Sequence, residues 1–221
     1  MEVRTLTTGR VRPKARARGV RRYLPGGWSG ETLPVKAFAV AHPAGVCLFD
    51  TGQSARAASP GYLPRWHPFL RLARFELEPR DEAAAQVDPA QVRWVVLSHL
   101  HTDHVGGLEP FAGAEVLVSR VDWERAQGLA GRLRGYVPQH WPRGLRPHLV
   151  DLDSRHDLAG DGRLLVVPLP GHTPGHLGLL VTDGGQPAHL LAGDAGELPP
   201  ELERYCREHG VSVLRSHDER V

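Results

Sequence analysis

The sequence predicts an α+β fold in which two mixed β-sheets are flanked by helices, an αββα sandwich. Short apolar, β-branched segments bounded by Gly, Pro and Asp recur along the chain, which is typical of β-strands. A few helix-length segments carry apolar residues at spacings of three and four, as helices that pack on a sheet do. Because hairpins alternate with single helices, a regular βαβ repeat with one parallel sheet is not expected.

The individual elements follow from these patterns. The predicted strands are 35–41 (VKAFAVA), 45–50 (GVCLFD), 93–98 (RWVVLS), 114–119 (AEVLVS), 164–169 (LLVVPL), 177–182 (LGLLVT), 188–193 (AHLLAG) and 211–215 (VSVLR). The predicted helices are residues 79–86, 120–134 and 199–208. With 41% hydrophobic and 24% charged residues in 221, the chain has the composition of a soluble globular protein. We therefore expect one domain spanning residues 1–221.

The formal net charge is +2, and the basic excess lies in the run RVRPKARARGVRR, residues 10–22. Such a run binds nucleic acid or an anionic surface in some proteins. The alternative, which we favour, is a solvated loop or an edge strand. No zinc-finger spacing and no interleaving of aromatic and basic residues accompanies the run, so no nucleic-acid partner is expected.

Cysteine usage and hydropathy bear on the compartment. Cys47 and Cys206 are the two cysteines, and neither belongs to a CxxC motif, so we expect buried thiols rather than a disulfide framework or a thiolate metal site. No apolar stretch approaches the ~20 residues that span a bilayer, and the N-terminus lacks the apolar segment of a signal peptide. We expect a cytoplasmic protein with no membrane partner. The sequence does not predict its oligomeric state.

The stretch SHLHTDHVGG, residues 98–107, concentrates metal-binding chemistry. His99 and His101 emerge at the end of a predicted buried strand and, two residues apart on extended backbone, project to the same side. Asp103 and His104 follow, and the glycines then allow the chain to turn back. Four such side chains at a strand end cost free energy unless a partner satisfies them. Imidazole and carboxylate donors without thiolate suit zinc, with iron or manganese as alternatives.

Three later residues have the same placement. His172 follows the strand LLVVPL, Asp194 follows AHLLAG, and His217 follows VSVLR. Seven ligands are too many for one zinc ion. A bridging carboxylate, with three histidines on one side and two histidines and an aspartate on the other, indicates a two-metal site.

With these motifs the chain resembles the metallo-β-lactamase superfamily. The likeness runs from LPVKAFAVAHPAGVCLFDTG through SHLHTDHVGG, PGHTPGH and AGDA to SHD. Within the superfamily the chain is most similar to the N-acyl homoserine lactonases, at LFDTG, SHLHxDHxGG, GHTPGH and the terminal HD. The resemblance implies the metallo-β-lactamase-like αββα sandwich, with an active site on the shared rim of the two sheets.

The resemblance also implies a role for each site residue. One metal would be held by His99, His101 and His172, and the other by Asp103, His104 and His217, with Asp194 bridging the two ions. Asp50 of the DTG motif would orient a metal-binding histidine. His176 would have the same kind of role or be a structural residue of its turn.

The activity implied is hydrolysis by a hydroxide that bridges two zinc ions, with iron or manganese as alternatives. An ester-like carbonyl would be opened, most favourably that of a lactone such as an N-acyl homoserine lactone, and Asp103 would pass the proton to the leaving alkoxide. Tyr62, Trp66 and Phe69 lie in a long segment after Gly52. Their rings either receive an acyl chain or cover the edge of the core.

Two departures from the lactonases concern the substrate. Similar lactonases carry a tyrosine three positions after the bridging aspartate, where this chain has Glu197, and a carboxylate does not donate the same hydrogen bond at neutral pH. The segment between Asp194 and His217 is also shorter. A thioester or phosphotriester hydrolase of the same superfamily therefore stays open. So does a mononuclear iron persulfide dioxygenase that uses His99, His172 and Asp194, whereas a non-enzymatic binding module is least favoured.

Overall fold

The computed structural model describes residues 1–14, 27–63, 72–133, 136–153 and 155–219. Two mixed sheets form, which confirms the predicted fold class. The first has strand order β4-β1-β2-β3-β5-β6-β7. Its strands are β1 Val3–Pro13, β2 Leu33–His42, β3 Gly45–Phe49, β4 Ala73–Glu76, β5 Val92–Val96, β6 Glu115–Ser119 and β7 His148–Val150.

The second sheet has strand order β12-β11-β10-β9-β8. Its strands are β8 His156–Asp157, β9 Leu164–Pro168, β10 Leu177–Asp183, β11 Gln186–Leu191 and β12 Ser212–Leu214. The helices are α1 Ala83–Gln86, α2 Thr102–Val105, α3 Arg120–Arg125, α4 Gly128–Leu133 and α5 Pro200–Glu208.

The core has three apolar layers, as a sandwich of two covered sheets requires. Strand β2 shows how they arise, since alternate side chains leave a strand on opposite faces. Phe38 and Val40 join the layer between the two sheets, together with residues of β9 and β10. Ala37 and Ala39 join the layer on the other face of the first sheet. A third layer lies on the outer face of the second sheet, where α5 packs through Leu202 and Cys206.

Strand direction gathers several chain segments at one rim. Strands β3, β5 and β6 are parallel neighbours, so their C-terminal ends share one edge of the first sheet. In the second sheet β9 and β11 both run antiparallel to β10, and β12 is parallel to β11, so these three strands also end together. The backbone N–H of Leu177 donates to the carbonyl of Ser98 at 2.8 Å. That hydrogen bond joins the two sheets just beyond the end of β5.

We favoured a solvated loop or an edge strand for the basic run. In the part of the run that the structure describes, residues 10–14, the chain forms neither. The first residues of the run lie in β1, which pairs with β2 on one side and with β4 on the other, so β1 is not an edge strand. Val11 is buried there, while the Arg12 side chain is turned outward and pairs with Glu76 at 3.0 Å. The described basic residues of the run therefore lie on the solvent-facing side of a strand that is paired on both edges. Residues 15–22 of the run lie outside the described residues.

Two of the three predicted helices are broken. The segment 79–86 forms a 3-10 turn, Pro79–Asp81, and then the single turn α1, because Glu82 between them is extended. The segment 120–134 forms α3 and α4, interrupted where Gly128 adopts a φ of +70°. The predicted helix 199–208 is confirmed as α5. Cys47 and Cys206 are confirmed as free and buried. In the part of the chain that the structure describes, we find no helix of the length and apolarity that crossing a membrane requires.

Candidate metal centre

The rim where the strands end carries the polar residues that the sequence singles out. Asp50 follows β3 and His99 follows β5 in the first sheet. In the second sheet His172 follows β9, Asp194 follows β11 and His217 follows β12. Because polar side chains are placed here by the ends of buried strands, the rigid sheets determine the position of the site.

The segment that follows β5 is folded tightly against the DTG turn. The N–H of Thr51 donates to the carbonyl of His104 at 2.8 Å, and the N–H of Gly107 donates to that of Gly52 at 3.1 Å. A Cβ at Gly107 would lie 2.4 Å from the Thr51 carbonyl oxygen. Glycine is therefore required at this contact, which fixes the one-turn helix α2 that carries Asp103 and His104.

Three histidines form the first group of donor atoms. The His101 Nδ1 atom lies 3.0 Å from His99 Nε2 and 3.1 Å from His172 Nε2. His99 is fully buried, whereas about a third of the His172 side chain is exposed. Their ring nitrogens converge on one point, in the manner of three ligands of one ion.

An aspartate and two histidines form the second group. The Asp103 Oδ2 atom lies 3.5 Å from His217 Nε2 and 4.0 Å from His104 Nε2. His104 is fully buried, and His217 is partly exposed. These three donors also lie close enough together to hold one ion.

The carboxylate of Asp194 lies between the two groups. Its Oδ2 atom is 3.5 Å from His172 Nε2. Its Oδ1 atom is 3.3 Å from His104 Nε2 and 3.4 Å from His217 Nε2. Each group therefore faces a different oxygen of the same carboxylate, which is how a bridging ligand is placed.

The spacing fits two tetrahedral ions. Ligands about 2.1 Å from a tetrahedral zinc ion are about 3.4 Å apart, close to the separations within each group. Two of the buried atoms, His104 Nε2 and Asp194 Oδ1, make no hydrogen bond. Buried polar atoms are costly when unsatisfied, and a cation between the two would satisfy both. The donor set of histidines and carboxylates suits zinc, iron or manganese.

Hydrogen bonds behind the site orient two of the buried rings. Asp50 Oδ2 accepts from His104 Nδ1 at 2.8 Å and from Ser98 Oγ at 2.8 Å, and Asp50 Oδ1 accepts from the N–H of Ser98 at 2.7 Å. Ser98 Oγ lies 3.0 Å from His99 Nδ1 and, since its own proton goes to Asp50, accepts from that ring. The Nδ1 protons of His99 and His104 are thus engaged, which leaves each Nε2 lone pair directed into the site.

The ring of His217 is held by β2. Its Nδ1 atom donates to the carbonyl of Pro34 at 2.6 Å, and the N–H of Lys36 donates to the carbonyl of Ser216 at 3.1 Å. The C-terminal segment is thereby attached to the start of β2. His217 Nε2, the other ring nitrogen, faces the two carboxylates.

His176 contacts the site from behind. Its Nε2 atom accepts a hydrogen bond from the backbone N–H of Asp194 at 3.2 Å, and its ring stacks on His99 with the centroids 5.2 Å apart. The His176 ring thus contacts one predicted ligand and the backbone of another, and its supporting role stays a prediction.

The two donor groups differ in charge when no cation is present. Burial lowers the pKa of His101, to about 4, and the nearby His172 adds to the effect. Burial alone would lower the pKa of His217, but the nearby carboxylates of Asp103 and Asp194 raise it to about 10. Burial alone would raise the pKa of Asp103, which His217 and His104 lower to about 2. The first group thus offers neutral imidazoles, and a cation at the second would take the place of bound protons.

The residues expected to form the substrate pocket are less closely gathered. Tyr62 lies beside α2, with its hydroxyl 2.9 Å from Thr102 Oγ1 and its ring centroid 3.9 Å from that of His140. Tyr62 also lines a cavity of about 290 Å³ with Leu63 and Phe75. Trp66 and Phe69 lie outside the described residues.

Glu197 is exposed. It lines a cavity of about 630 Å³ together with Arg207 and Arg215, and no residue of either donor group lines that cavity. Arg215 donates from Nε to the carbonyl of Ala195 at 2.8 Å. The position that carries the tyrosine in similar lactonases is thus tied here to an outer cavity beside α5.

Sequence reasoning assigned no role to three contributors. Ser98 links Asp50 to His99. Its position directly before the histidines could have indicated this role. Tyr136 is 1% exposed and packs its ring against His101 with the centroids 5.4 Å apart. The Pro34 carbonyl holds His217. No local sequence pattern indicates these two contacts. Tyr136 is distant from His101 in sequence, and Pro34 contributes a backbone atom.

Comparisons with known proteins identify the family of the chain. Residues 30–220 match the family model of the metallo-beta-lactamase superfamily. The chain is 30% identical to the N-acyl homoserine lactonase AttM of Agrobacterium fabrum, over 84% of this chain and 82% of the relative. It is 35% identical to the N-acyl homoserine lactonase AttM of Azorhizobium caulinodans, over 67% of this chain and 60% of the relative's length.

Solved structures share the fold at low identity. One is an N-acyl homoserine lactone hydrolase with the product N-hexanoyl-L-homoserine bound at its catalytic metal center. It superposes with a TM-score of 0.72 at 18% identity and covers 98% of this chain and 93% of that protein. The dizinc quorum-quenching lactonase AidC superposes with a TM-score of 0.61 at 15% identity, over 97% of this chain and 86% of that protein.

Proposed function

The chain belongs to the metallo-β-lactamase superfamily, and on that basis we propose that it is a two-metal hydrolase that opens lactones, with N-acyl homoserine lactones as the leading substrates. The position of Asp194 carries the proposal, because each of its carboxylate oxygens faces a separate group of three donors. The names of the AttM relatives support the substrate class.

The proposed ligands are those that the two groups bring together. His99, His101 and His172 would hold one ion, Asp103, His104 and His217 would hold the other, and Asp194 would be a ligand of both. Two zinc ions at these residues would supply Lewis-acid chemistry, which lowers the pKa of a water molecule and polarises the substrate carbonyl. Asp50, Ser98 and the Pro34 carbonyl keep the proton on Nδ1 of the three rings they bind, so that Nε2 is the donor atom.

Asp103 is the proposed proton carrier. Its side chain is 14% exposed, so it borders the site without being sealed from a substrate. After hydroxide adds to the carbonyl, a carboxylate there would accept the proton of the added OH group and pass it to the alkoxide as the ring C–O bond breaks. The products are then a carboxylate and an alcohol, and the transferred proton ends on the alcohol.

The acyl chain is proposed to lie beside Tyr62. The cavity of about 290 Å³ that Tyr62 lines is otherwise bordered mainly by apolar side chains, including Leu63 and Phe75. Tyr62 adjoins Thr102, which stands between His101 and Asp103 in the chain. An acyl chain entering here would approach the site from the α2 side.

A substrate panel tests the function. Zinc-loaded protein is assayed with homoserine lactones of several chain lengths, unsubstituted lactones, aryl esters, thioesters and phosphotriesters, while metal content is measured on the same samples. We expect two metal equivalents per chain and the highest kcat/KM with acyl homoserine lactones. Turnover of a thioester or phosphotriester, with lactones of every length inert, would overturn the lactone assignment. One iron per chain together with oxygen uptake, in protein purified without added metal, would overturn hydrolysis.

The variant Asp194→Ala tests the site itself. We expect it to lose lactone turnover and to bind fewer than two metal equivalents, since both proposed ions share this carboxylate. Asp88→Ala is a control, because Asp88 is a surface aspartate whose side chain caps the turn Pro89–Gln91. The control should retain both metal equivalents and wild-type turnover. Full turnover in Asp194→Ala would contradict the proposed site.

A further inference from the structure

The loop that carries His172 is attached to the start of α3. Asp122 of α3 is fully buried, and its Oδ2 atom accepts a hydrogen bond from Thr173 Oγ1 at 2.6 Å. Its Oδ1 atom accepts a second one, from the backbone N–H of Gly175 at 3.1 Å. One carboxylate thus binds the loop at two points, beginning at the residue directly after His172.

The loop packs tightly against the start of α3 around the two Asp122 hydrogen bonds. A Cβ at Gly175 would lie 2.2 Å from Ser119 Oγ and 2.9 Å from Asp122 Cγ, so the loop backbone rests directly on the start of the helix. Ser119 Oγ accepts from the N–H of Asp122 at 3.1 Å as the N-cap of α3. That cap fixes Asp122 from its own side, and Thr173 is only 3% exposed.

His172 depends on its loop more than the other histidines of its group. About a third of its side chain is exposed, whereas the His99 ring is fully buried and Ser98 binds it from behind. Burial therefore does little to fix the His172 ring. The backbone of the loop has to place its Nε2 atom 3.1 Å from His101 Nδ1.

We propose that Asp122 is a positioning residue for His172 and, through it, for one of the two metal ions. The proposal rests on the proposed metal centre. Asp122 acts through hydrogen bonds to the loop and is not itself a ligand. Because Asp103, His104 and His217 are carried by other segments, loss of Asp122 affects the ion of the histidine group first.

Two variants of Asp122 separate its possible contributions. Asp122→Ala removes both acceptors, and we expect the affinity for one zinc equivalent to fall about 10- to 100-fold, the range found when groups that orient a ligand are removed. Asp122→Asn keeps a carbonyl oxygen for the Gly175 N–H, and its amide donates to the Thr173 hydroxyl, which also accepts. We expect Asp122→Asn to stay within about threefold of the wild type.

Asp157→Ala is the matched control. Asp157 also accepts two backbone N–H groups, from Gly160 at 3.0 Å and Gly162 at 2.8 Å, but in the turn between β8 and β9, which carries no proposed ligand. Its loss should change stability without changing zinc affinity. Thr173→Val removes one of the two Asp122 bonds at nearly constant volume, and it tests the same idea if Asp122→Ala does not fold.

The experiment is a zinc titration of metal-free protein against a chromophoric chelator, with folding checked by circular dichroism. Selective weakening of one equivalent in Asp122→Ala or Thr173→Val, with Asp122→Asn near wild type, supports the proposal. It is overturned if the folded variants bind both equivalents normally, if both equivalents weaken equally, or if Asp122→Asn loses as much as Asp122→Ala. A wild-type protein that binds no zinc refutes the metal centre instead, and two tight equivalents without lactone turnover refute the substrate assignment alone.

Discussion

Asp50 and His104 form a fully buried pair in which the carboxylate accepts the Nδ1 proton of the ring at 2.8 Å. Asp50 adopts a φ of +58°, in the left-handed region that non-glycine residues rarely occupy. Such a conformation costs on the order of 1 kcal/mol or more and persists where surrounding contacts fix it. Here three donors bind the carboxylate, so the strained residue turns it toward Ser98 and His104.

The variant Asp50→Asn should therefore damage both stability and metal binding. An amide has one acceptor oxygen where the carboxylate has two, so at least one buried donor loses its partner, at a cost of about 1–3 kcal/mol. We also expect zinc affinity to fall about 10- to 100-fold, because the tautomer of His104 is no longer enforced. Urea denaturation measures the first effect and chelator competition the second.

Asp161→Asn is the control for that variant. Asp161 also binds a histidine, His42, at 3.0 Å, but neither residue belongs to the metal centre. It should leave the zinc affinity at the wild-type value, because neither residue is among the proposed ligands or their hydrogen-bond partners. If Asp50→Asn binds zinc as tightly as this control does, the proposed orienting role is wrong.

Gly52 allows the turn that carries Asp50 to lie close against Thr8 of β1. Its φ is +65°, and a Cβ there would lie 1.9 Å from Oγ1 of the buried Thr8. Gly52→Ala should therefore lower the free energy of unfolding by about 2–4 kcal/mol, from backbone strain together with overpacking. Gly61→Ala provides the comparison, because Gly61 has a φ of +89° but open space around it.

We expect Gly61→Ala to cost about 1–2 kcal/mol, the backbone strain alone. Both costs are read from urea denaturation curves. Equal losses in the two variants would show that the contact with Thr8 relaxes at no cost, contrary to the expectation.

The structure brings together the candidate ligands that the sequence singled out, whereas several of the contacts that support them were not predicted. His99, His101, Asp103 and His104 are adjacent in the chain, and a cluster of polar side chains after a buried strand is costly unless it is functional. The sequence did not predict a role for Asp122, because a single acidic residue on a helix is usually solvated. Its role depends on the loop of Thr173, which the fold brings to it from a distant part of the chain.

Local irregularities account for two differences between the predicted and the observed elements. Strand β1 was not predicted because a bulge between Thr7 and Arg10 leaves Thr8 and Gly9 both buried, which interrupts the alternation on which strand prediction depends. The helix expected over 120–134 was too long because Gly128 has a positive φ that a helical period does not reveal. The bulge and the positive φ are features of the backbone, and the pattern of apolar and polar side chains indicates them only weakly.

Metal removal should lower stability. A zinc ion present at about 100 times its dissociation constant stabilises the folded state by about 2.7 kcal/mol. We therefore expect a chelator to lower the thermal midpoint of the wild type and added zinc to restore it, as followed by circular dichroism. In Asp194→Ala the chelator should have a smaller effect, since the shared ligand is gone. A wild-type midpoint that ignores both chelator and zinc would argue against a metal bound by the folded state.

The cavity beside Tyr62 gives the final prediction, which concerns the acyl chain. Ala57 lines this cavity of about 290 Å³, and Ala57→Phe would place a ring inside it. Each buried methylene of a chain contributes about 0.8 kcal/mol, so displacing two of them should raise KM for a long-chain homoserine lactone roughly tenfold. A short-chain lactone should keep its KM. Steady-state kinetics across the series measures the difference.

Ala112→Phe is the matched control for Ala57→Phe. Ala112 lines a different cavity, of about 490 Å³, which shares no lining residue with the one beside Tyr62. It should leave KM unchanged at every chain length. If Ala57→Phe raises KM equally for short and long chains, the ring perturbs the site generally. If neither variant changes KM for long chains, the acyl chain lies elsewhere, and the assignment of Tyr62 to the substrate pocket is wrong.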